Sequence, residues 1–374
     1  MAVRQTTTVL ALSLSLAACG GAGSGDPIVI GVTGPFSQPR GVSMKAGAEL
    51  AAAEINKAGG INGKQVELVF ADDSANNDAA VRIATEFRAD KRVVAVIGHL
   101  TSGPTIAAGP IYSDPARPMA LITPSASSPA ITEEGGAAVF RVCPTDLEHG
   151  RALARYARNT LHARTAAILY ENAVYGRGVE SNFVDDFRQL GGTIVSEDPY
   201  NGSIQSFEPY LRRLQQKGGA DVILIAGQRD GAERIVATRD TLKITTTLLA
   251  GDGVIGIEAT GKAEGMVISS AWLSDRPDPT SQAFVTAYQA ANANARPDHR
   301  GAGAYDIMHL LARAITAVGP DRAKIVQYLE GVGTSSAPYD GVTGRIVFDS
   351  AGDARDKPVA IGVVRSRALV TAGQ

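Results

Sequence analysis

The sequence predicts an α/β protein built from two lobes, each containing a parallel sheet. Short apolar runs alternate with stretches long enough for a helix, and this alternation occurs as two separate series along the chain. Strands that are apolar on both faces and separated by helices are typical of parallel sheets covered on both sides. The length of 374 residues supports two domains rather than one.

Two series of strands are expected. The first comprises residues 28–32, 66–70, 93–98 and 119–122, and the second comprises residues 166–170, 192–195, 222–226, 247–250 and 266–269. Two further strand-like runs, 344–348 and 359–364, lie near the C-terminus. Because the pattern after residue 272 changes to a polar stretch and two long helices, we expect the chain to return there to the first lobe. The chain would then cross once more near its end.

Helices are predicted from their apolar period and their capping residues. One apolar face, with spacings of three and four residues, is formed by Ala304, Ile307, Met308, Leu311 and Ile315. Thr145 with Glu148, and Asp230 with Glu233, have the spacing of a capping box at the start of a helix. With the break between the series near residues 141–145, the first lobe is expected to comprise 27–144 plus 274–357. The second lobe would comprise 145–273 plus 358–374.

The N-terminus has the pattern of a secretion signal. Arg4 precedes an apolar core at residues 9–16, which is too short to span a membrane. Cys19 follows Leu-Ala-Ala, as in the bacterial lipobox, and a Gly/Ser-rich segment comes behind it. We therefore expect a signal peptide at 1–18, lipidation of Cys19, and a flexible tether at 19–26 that holds the body on the extracytoplasmic face of a membrane. The alternative is an ordinary signal peptide with a fortuitous cysteine.

The charge and the remaining cysteine exclude some classes of function. The net charge is −2 and no basic run occurs, which argues against a nucleic-acid partner. Cys143 is the only other cysteine, and it follows a strand-like run, so a small buried hydrophobic role is expected rather than a catalytic thiol.

The loop at residues 98–105, GHLTSGPT, is a candidate site for three kinds of chemistry. Its glycine spacing fits a phosphate-binding loop, but Pro104 occupies the position of the essential lysine. Ser102 lacks the glycines of a nucleophile elbow, and the histidines form no metal-binding pair. We therefore expect that the protein is not an enzyme and that it binds no metal and no cofactor. The third possibility is an anion clamp made by Ser102 and the free N–H groups of the helix that follows.

A second hydroxyl-rich loop strengthens the clamp hypothesis. Residues 122–129, with Ser125 and Ser127, follow the next predicted strand, so both loops lie beyond the carboxyl ends of strands. Ligands bind there in open parallel sheets. The alternatives are that Ser102 only caps its own helix and that the second loop is an ordinary Ser/Pro turn.

Several stretches together resemble the substrate-binding proteins of branched-chain amino acid ABC transporters, of the leucine/isoleucine/valine-binding type. They lie, in the same order, at residues 30–36, 54–63, 96–99, 122–126, 339–344 and 348–353. The resemblance implies a periplasmic-binding-protein fold of type I. Such a fold has two Rossmann-like lobes joined by three crossover strands, with the ligand in the cleft between them.

The resemblance also implies roles for particular residues. Ser102 and Ser127 would hold the α-carboxylate of an amino acid, and the carbonyl of Ser125 would accept its ammonium. Asp252, in the loop 251–253, would pair with the same ammonium, and Tyr175 would cover the ligand.

Some positions depart from the family pattern. Asp252 is one methylene shorter than the expected glutamate, and a helix cap is the alternative role for it. Gln228 replaces a frequent aromatic, and Arg40 lies where an aromatic commonly lines the pocket or else faces solvent. Trp272 could pack at the hinge or line the cleft. We therefore expect an amino acid ligand that is branched-chain or more polar.

The expected function is that of a monomeric binding lipoprotein of an ABC importer, which delivers its amino acid to a membrane permease with ATPase subunits. The alternative is a ligand-sensing or cell-wall-synthase-regulating lipoprotein on the same fold.

Overall fold

The computed structural model describes residues 25–373. The predicted signal peptide, Cys19 and most of the predicted tether lie outside these residues. No helix within residues 25–373 is long and apolar enough to cross a membrane.

Five parallel strands form the first sheet. In chain order the elements are β1 (Ile28–Gly34), α1 (Pro39–Lys57), β2 (Val66–Asp72), α2 (Asn77–Ala89), β3 (Val93–Ile97), α3 (Ser102–Tyr112), β4 (Leu121–Thr123), α4 (Ala130–Glu133) and β5 (Val139–Arg141). The strand order is β2-β1-β3-β4-β5. β1, β3, β4 and β5 are buried along their whole length, because helices cover both faces of the sheet.

The second sheet begins after the chain leaves β5. Its elements are α5 (Asp146–Arg155) with a π-helical turn (Tyr156–Thr160), β6 (Thr165–Glu171), α6 (Val174–Gln189), β7 (Thr193–Tyr200), α7 (Glu208–Gln216), β8 (Val222–Ala226), α8 (Arg229–Thr241), β9 (Thr247–Ala250) and β10 (Val267–Ser270). Two 3₁₀ turns, Asp252–Val254 and Ile257–Thr260, separate β9 from β10. These strands pair in parallel.

After β10 the chain returns to the first sheet and then comes back to the second. The elements are α9 (Pro279–Ala291), α10 (His299–Val318), α11 (Arg322–Glu330), β11 (Tyr339–Gly341), β12 (Gly344–Ile346), β13 (Ala360–Arg365) and β14 (Ala368–Thr371). The buried face of α10 packs in one core cluster with Ile30 and Ile97 of the first sheet. β13 then pairs antiparallel with β10, and β14 pairs antiparallel with β13.

The predicted α/β alternation is confirmed, and so is the apolar face of α10, whose predicted residues all lie in one core cluster. Thr145 is the N-cap of α5, and its backbone N–H donates to Glu148 Oε2 at 2.8 Å, so this capping box is confirmed. The prediction of a capping box at Asp230 is wrong. α8 begins at Arg229 with Gln228 as its N-cap, and Glu233 pairs with Arg229 instead, Nε to Oε1 at 2.6 Å.

A close approach of two helices brings the start of α10 toward the strand ends. A Cβ atom on Gly47 of α1 would lie 2.1 Å from the carbonyl oxygen of Gly301, and a Cβ on Gly303 would lie 2.9 Å from Pro124 Cβ. Only glycine permits backbones to approach this closely. The first turn of α10 is therefore held beside the loop that follows β4.

Candidate functional site

A cavity lies where the carboxyl ends of the two sheets face each other. Its empty space amounts to about 300 Å³, counted together with its open mouth. All of the residues predicted as ligand contacts line this cavity, namely Ser102, Ser125, Ser127, Tyr175, Gln228 and Asp252. Residues from both lobes therefore surround one space, as expected for the loops at the carboxyl ends of parallel strands.

Ser102 begins α3 on the wall formed by the first lobe. Its side chain is buried, and its Oγ accepts the backbone N–H of Ser128 at 3.3 Å. The N-cap position is occupied by Thr101, so the alternative that Ser102 caps its own helix is wrong. Thr101 Oγ1 is buried and has no hydrogen-bond partner among residues 25–373. This hydroxyl and the first N–H groups of α3 are therefore potential donors at the edge of the cavity.

The loop after β4 supplies the rest of this wall. Ser127 is buried, and its carbonyl oxygen accepts the N–H of Asp146 at 2.8 Å, which ties the loop to α5. Ser125 Oγ lies 3.1 Å from His299 Nε2 at the start of α10. The loop is thus fixed by contacts with two other elements, and both of its predicted serines line the cavity.

Asp252 is the acidic group on the opposite wall, and only 2% of its surface is exposed. Tyr175 donates its hydroxyl to Asp252 Oδ1 at 2.8 Å and accepts the backbone N–H of Gly253 at 2.8 Å. Arg300 Nη2 donates to the Asp252 carbonyl oxygen at 2.9 Å. The Asp252 carboxylate caps no helix, because Gly251 holds the N-cap position of the 3₁₀ turn and the carboxylate contacts Tyr175 instead.

Two buried histidines flank the same carboxylate. His299 Nε2 lies 3.3 Å from Asp252 Oδ2, and His149 Nε2 lies 3.9 Å from it. Burial would raise the pKa of Asp252, but His149, His299 and Arg300 outweigh it and hold that pKa well below the usual range. Burial and the charge of Asp252 raise the pKa of Tyr175, so this phenol stays protonated and donates. Asp252 is therefore a carboxylate that keeps its negative charge.

Gln228 and Arg40 meet across the mouth of the cavity. Arg40 Nη1 donates to Gln228 Oε1 at 2.5 Å, and Arg40 Nε donates to Gln38 Oε1 at 2.8 Å. Arg40 is partly buried and lines the cavity, so the alternative of a purely solvent-facing loop arginine is wrong.

Trp272 and Cys143 lie away from the cavity lining. Trp272 is 1% exposed, its ring packs edge-on against Phe284, and its Nε1 donates to Ser281 Oγ at 3.1 Å. Of the two expected roles, hinge packing or lining of the cleft, the contacts favour packing: Trp272 lies between α9 and the crossing after β10. The Cys143 thiol is buried, and burial raises its pKa, which suits a small hydrophobe and not a nucleophile.

Sequence reasoning missed the residues that orient the Asp252 carboxylate. His149, His299 and Arg300 belong to no motif and are distant from Asp252 along the chain. The available signal was positional, because Asp298 precedes a helical stretch and makes an N-cap, with its side chain accepting from the N–H of Arg300 at 2.9 Å. Within residues 25–373 no cluster of three or more His, Cys, Asp or Glu side chains could hold a metal ion.

Two α/β lobes with a polar cavity between their facing strand ends define a solute-binding protein of the two-lobed type. The chain belongs to the periplasmic binding protein family, whose sequence profile matches residues 27–368. This family comprises extracytoplasmic solute-binding proteins. The predicted family resemblance and the α/β fold class of type I periplasmic binding proteins are thereby confirmed.

Individual relatives have names that concern amino acids. An "amino acid binding protein" from Pseudomonas aeruginosa is 29% identical over 335 residues, which is 87% of each chain. An ABC transporter substrate-binding protein from Desulfitobacterium hafniense, solved in complex with Leu, has 31% identity and a TM-score of 0.80 over 93% of this chain and 100% of that one. The branched-chain amino acid transporter substrate-binding protein LivJ from Streptococcus pneumoniae, in complex with isoleucine, has 26% identity and a TM-score of 0.83 over 92% and 100%.

The buried carboxyl group of Asp146, at the start of α5, is expected to make the free energy of unfolding depend on pH. Burial, together with the charge of Asp252, raises the pKa of Asp146 to about 7. Because an aspartate in the unfolded chain titrates near pH ~3.9, the folded state binds more protons between about pH 4 and 7. This group therefore makes the free energy of unfolding fall as the pH rises through that range, by at most about 4 kcal/mol.

We expect Asp146→Asn to remove this fall. Urea denaturation at pH 4.5 and 7.5 should show that the variant gains stability relative to the natural protein at the higher pH. Asp240→Asn, at an exposed position of α8, should follow the natural protein at both pH values. An equal offset between Asp146→Asn and the natural protein at both pH values would contradict the raised pKa.

Proposed function

We propose that the protein captures an α-amino acid in the cavity between its lobes, as the lipid-anchored binding component of an ABC importer. The single observation that carries this proposal is the chemistry of the two walls. Uncharged hydroxyl and N–H donors lie on the wall of the first lobe, and a buried, charged carboxylate lies on the wall of the second.

The first wall suits the α-carboxylate. Thr101 and Ser102 line the cavity at the N-terminus of α3, and the helix dipole favours an anion there. Each hydrogen bond to a charged group contributes about 1.5–3 kcal/mol net. A ligand carboxylate would also satisfy the unpartnered Thr101 Oγ1.

The second wall suits the ammonium group. Asp252 keeps its charge, and Tyr175 holds one of its oxygens in a fixed position. A buried carboxylate is favourable only when it is paired, and a ligand ammonium would place a full positive charge beside it. The carbonyl of Ser125, in the loop that lines the cavity, is the second acceptor that we assign to this ammonium.

Closure of the lobes around the ligand is expected because each lobe supplies one wall of the cavity. A zwitterion that bonds to Ser102 and to Asp252 joins the two lobes and therefore favours the closed arrangement over an open one. We infer that the closed form is the one that presents both lobes to a membrane permease with its ATPase subunits, as a monomer. The similarity to ABC transporter substrate-binding proteins solved in complex with leucine and isoleucine supports a role in amino acid import.

A binding role, and not an enzymatic one, agrees with the surroundings of Ser102. Its hydroxyl contacts the backbone N–H of Ser128 and no histidine. A nucleophilic serine requires a general base within hydrogen-bond reach. The family is one of solute-binding proteins, which supports the same conclusion.

The Asp252 carboxylate provides the test of ligand binding. Asp252→Asn keeps the size of the side chain but removes its charge, so we expect the affinity for the preferred amino acid to fall by about tenfold or more. A thermal-shift panel of amino acids identifies the ligand, and isothermal titration calorimetry measures both proteins. Asp185→Asn, at an exposed position on α6, serves as the matched control. Unchanged affinity in Asp252→Asn, or no stabilisation of the natural protein by any α-amino acid at millimolar concentration, would refute the proposal.

The proposed anchor depends on Cys19, which lies outside the described residues. Cys19→Ser removes the acceptor of the lipid, so we expect the protein to move from the membrane fraction to the soluble fraction of the cell. Fractionation followed by mass spectrometry of the N-terminal peptide measures both the location and the lipid mass. Membrane retention of the Cys19→Ser protein would rule out this anchor.

A further inference from the structure

Arg40 is a cation at the mouth of the cavity without a carboxylate partner. Among the described residues its guanidinium donates only to the amide oxygens of Gln38 and Gln228, which are neutral. Within residues 25–373 no Asp or Glu oxygen lies within 4.0 Å of it. A partly buried charge without a counter-ion is unfavourable unless a ligand supplies one.

The nearby acidic groups are engaged elsewhere. Asp73 binds His99 Nδ1 at 2.7 Å, and Glu171 accepts the backbone N–H of Gln228 at 3.2 Å. Asp230 favours the charged form of Arg40 only from a distance. These three carboxylates therefore attract Arg40 without pairing with it.

The other two charged groups of the lining are accounted for by a partner in the protein or by the proposed function. Arg300 pairs with Asp298, Nη1 to Oδ2 at 2.8 Å, and Asp252 is the carboxylate that the proposed function assigns to the ligand ammonium. Burial and repulsion by Arg300 lower the pKa of Arg40, although an arginine keeps its charge at any physiological pH. Arg40 is thus the cation of the lining that lacks a carboxylate partner among residues 25–373.

We propose that Arg40, with Gln228, binds an acidic group on the side chain of the ligand, so that the preferred ligands are dicarboxylic α-amino acids. This inference rests on the proposed function, because Ser102 and Asp252 hold the α-carboxylate and the ammonium. The distal carboxylate replaces the amide oxygen of Gln228 on the guanidinium, and the freed Gln228 amide donates to the same carboxylate. Arg40 thereby selects the side chain of the ligand.

Guanidinium geometry supports this assignment. Arginine has five N–H donors in a planar fork that matches a carboxylate with two parallel hydrogen bonds. Such charge-assisted bonds are roughly twice as strong as bonds to neutral amides. The exchange of Gln38 and Gln228 oxygens for a ligand carboxylate is therefore favourable, whereas an aliphatic side chain would desolvate the guanidinium and leave it unpaired.

The test compares glutamate and aspartate with glutamine and leucine by isothermal titration calorimetry of the purified protein. We expect one of the two acidic amino acids to bind at least about tenfold more tightly than glutamine or leucine. Arg40→Gln should reduce the affinity for that acid by about tenfold or more and change the affinity for glutamine by less than about threefold. Arg40→Lys, which retains the charge but loses the fork, should fall between them.

Arg151→Gln is the matched control, because Arg151 is exposed on α5 and pairs with Asp186 away from the cavity. Its affinities should equal those of the natural protein. Leucine or glutamine binding as tightly as the acids, or an Arg40→Gln protein that keeps its affinity for the acid, would overturn this inference and leave the proposed function intact. If no α-amino acid binds at all, the proposed function fails, and the inference fails with it.

Discussion

The buried carboxylate of Asp252 is the interaction on which the rest of the site depends. Tyr175 fixes one of its oxygens, and His149 and His299 flank the other. These partners come from α5, α6 and α10, so elements that pack on both sheets meet at one charge. Because a buried carboxylate is tolerated only when it is surrounded by donors or cations, this arrangement fixes the loop after β9 through Tyr175 and Arg300.

The close packing of α10 explains how these partners meet. Gly47 and Gly301 allow α1 and α10 to approach backbone to backbone, and Gly303 allows α10 to contact Pro124. The first turn of α10 therefore places His299 between Ser125 of one wall and Asp252 of the other. His299 therefore already connects the two walls, and a ligand that bonds to both walls would add a second connection.

The architecture was predictable from the sequence because its strands are short apolar runs between helices. The antiparallel β14 was missed, since it is separated from β13 only by Ser366 and Arg367, which turn the chain with positive φ angles. The cavity residues in the loops after the strands were predictable because parallel strands place them at one edge. The positions of His149 and His299, and the lack of a carboxylate partner for Arg40 among residues 25–373, were not predictable, because they depend on tertiary packing between residues far apart in the chain.

If a zwitterion bridges the two lobes, a crystal structure of the protein with its bound amino acid will show both of its charged groups in contact with the walls. We expect the α-carboxylate within about 3.5 Å of Ser102 Oγ and of N–H donors at the start of α3, and the ammonium within about 3.5 Å of an Asp252 carboxylate oxygen. A ligand bound outside this cavity, or an ammonium group held away from Asp252, would contradict it.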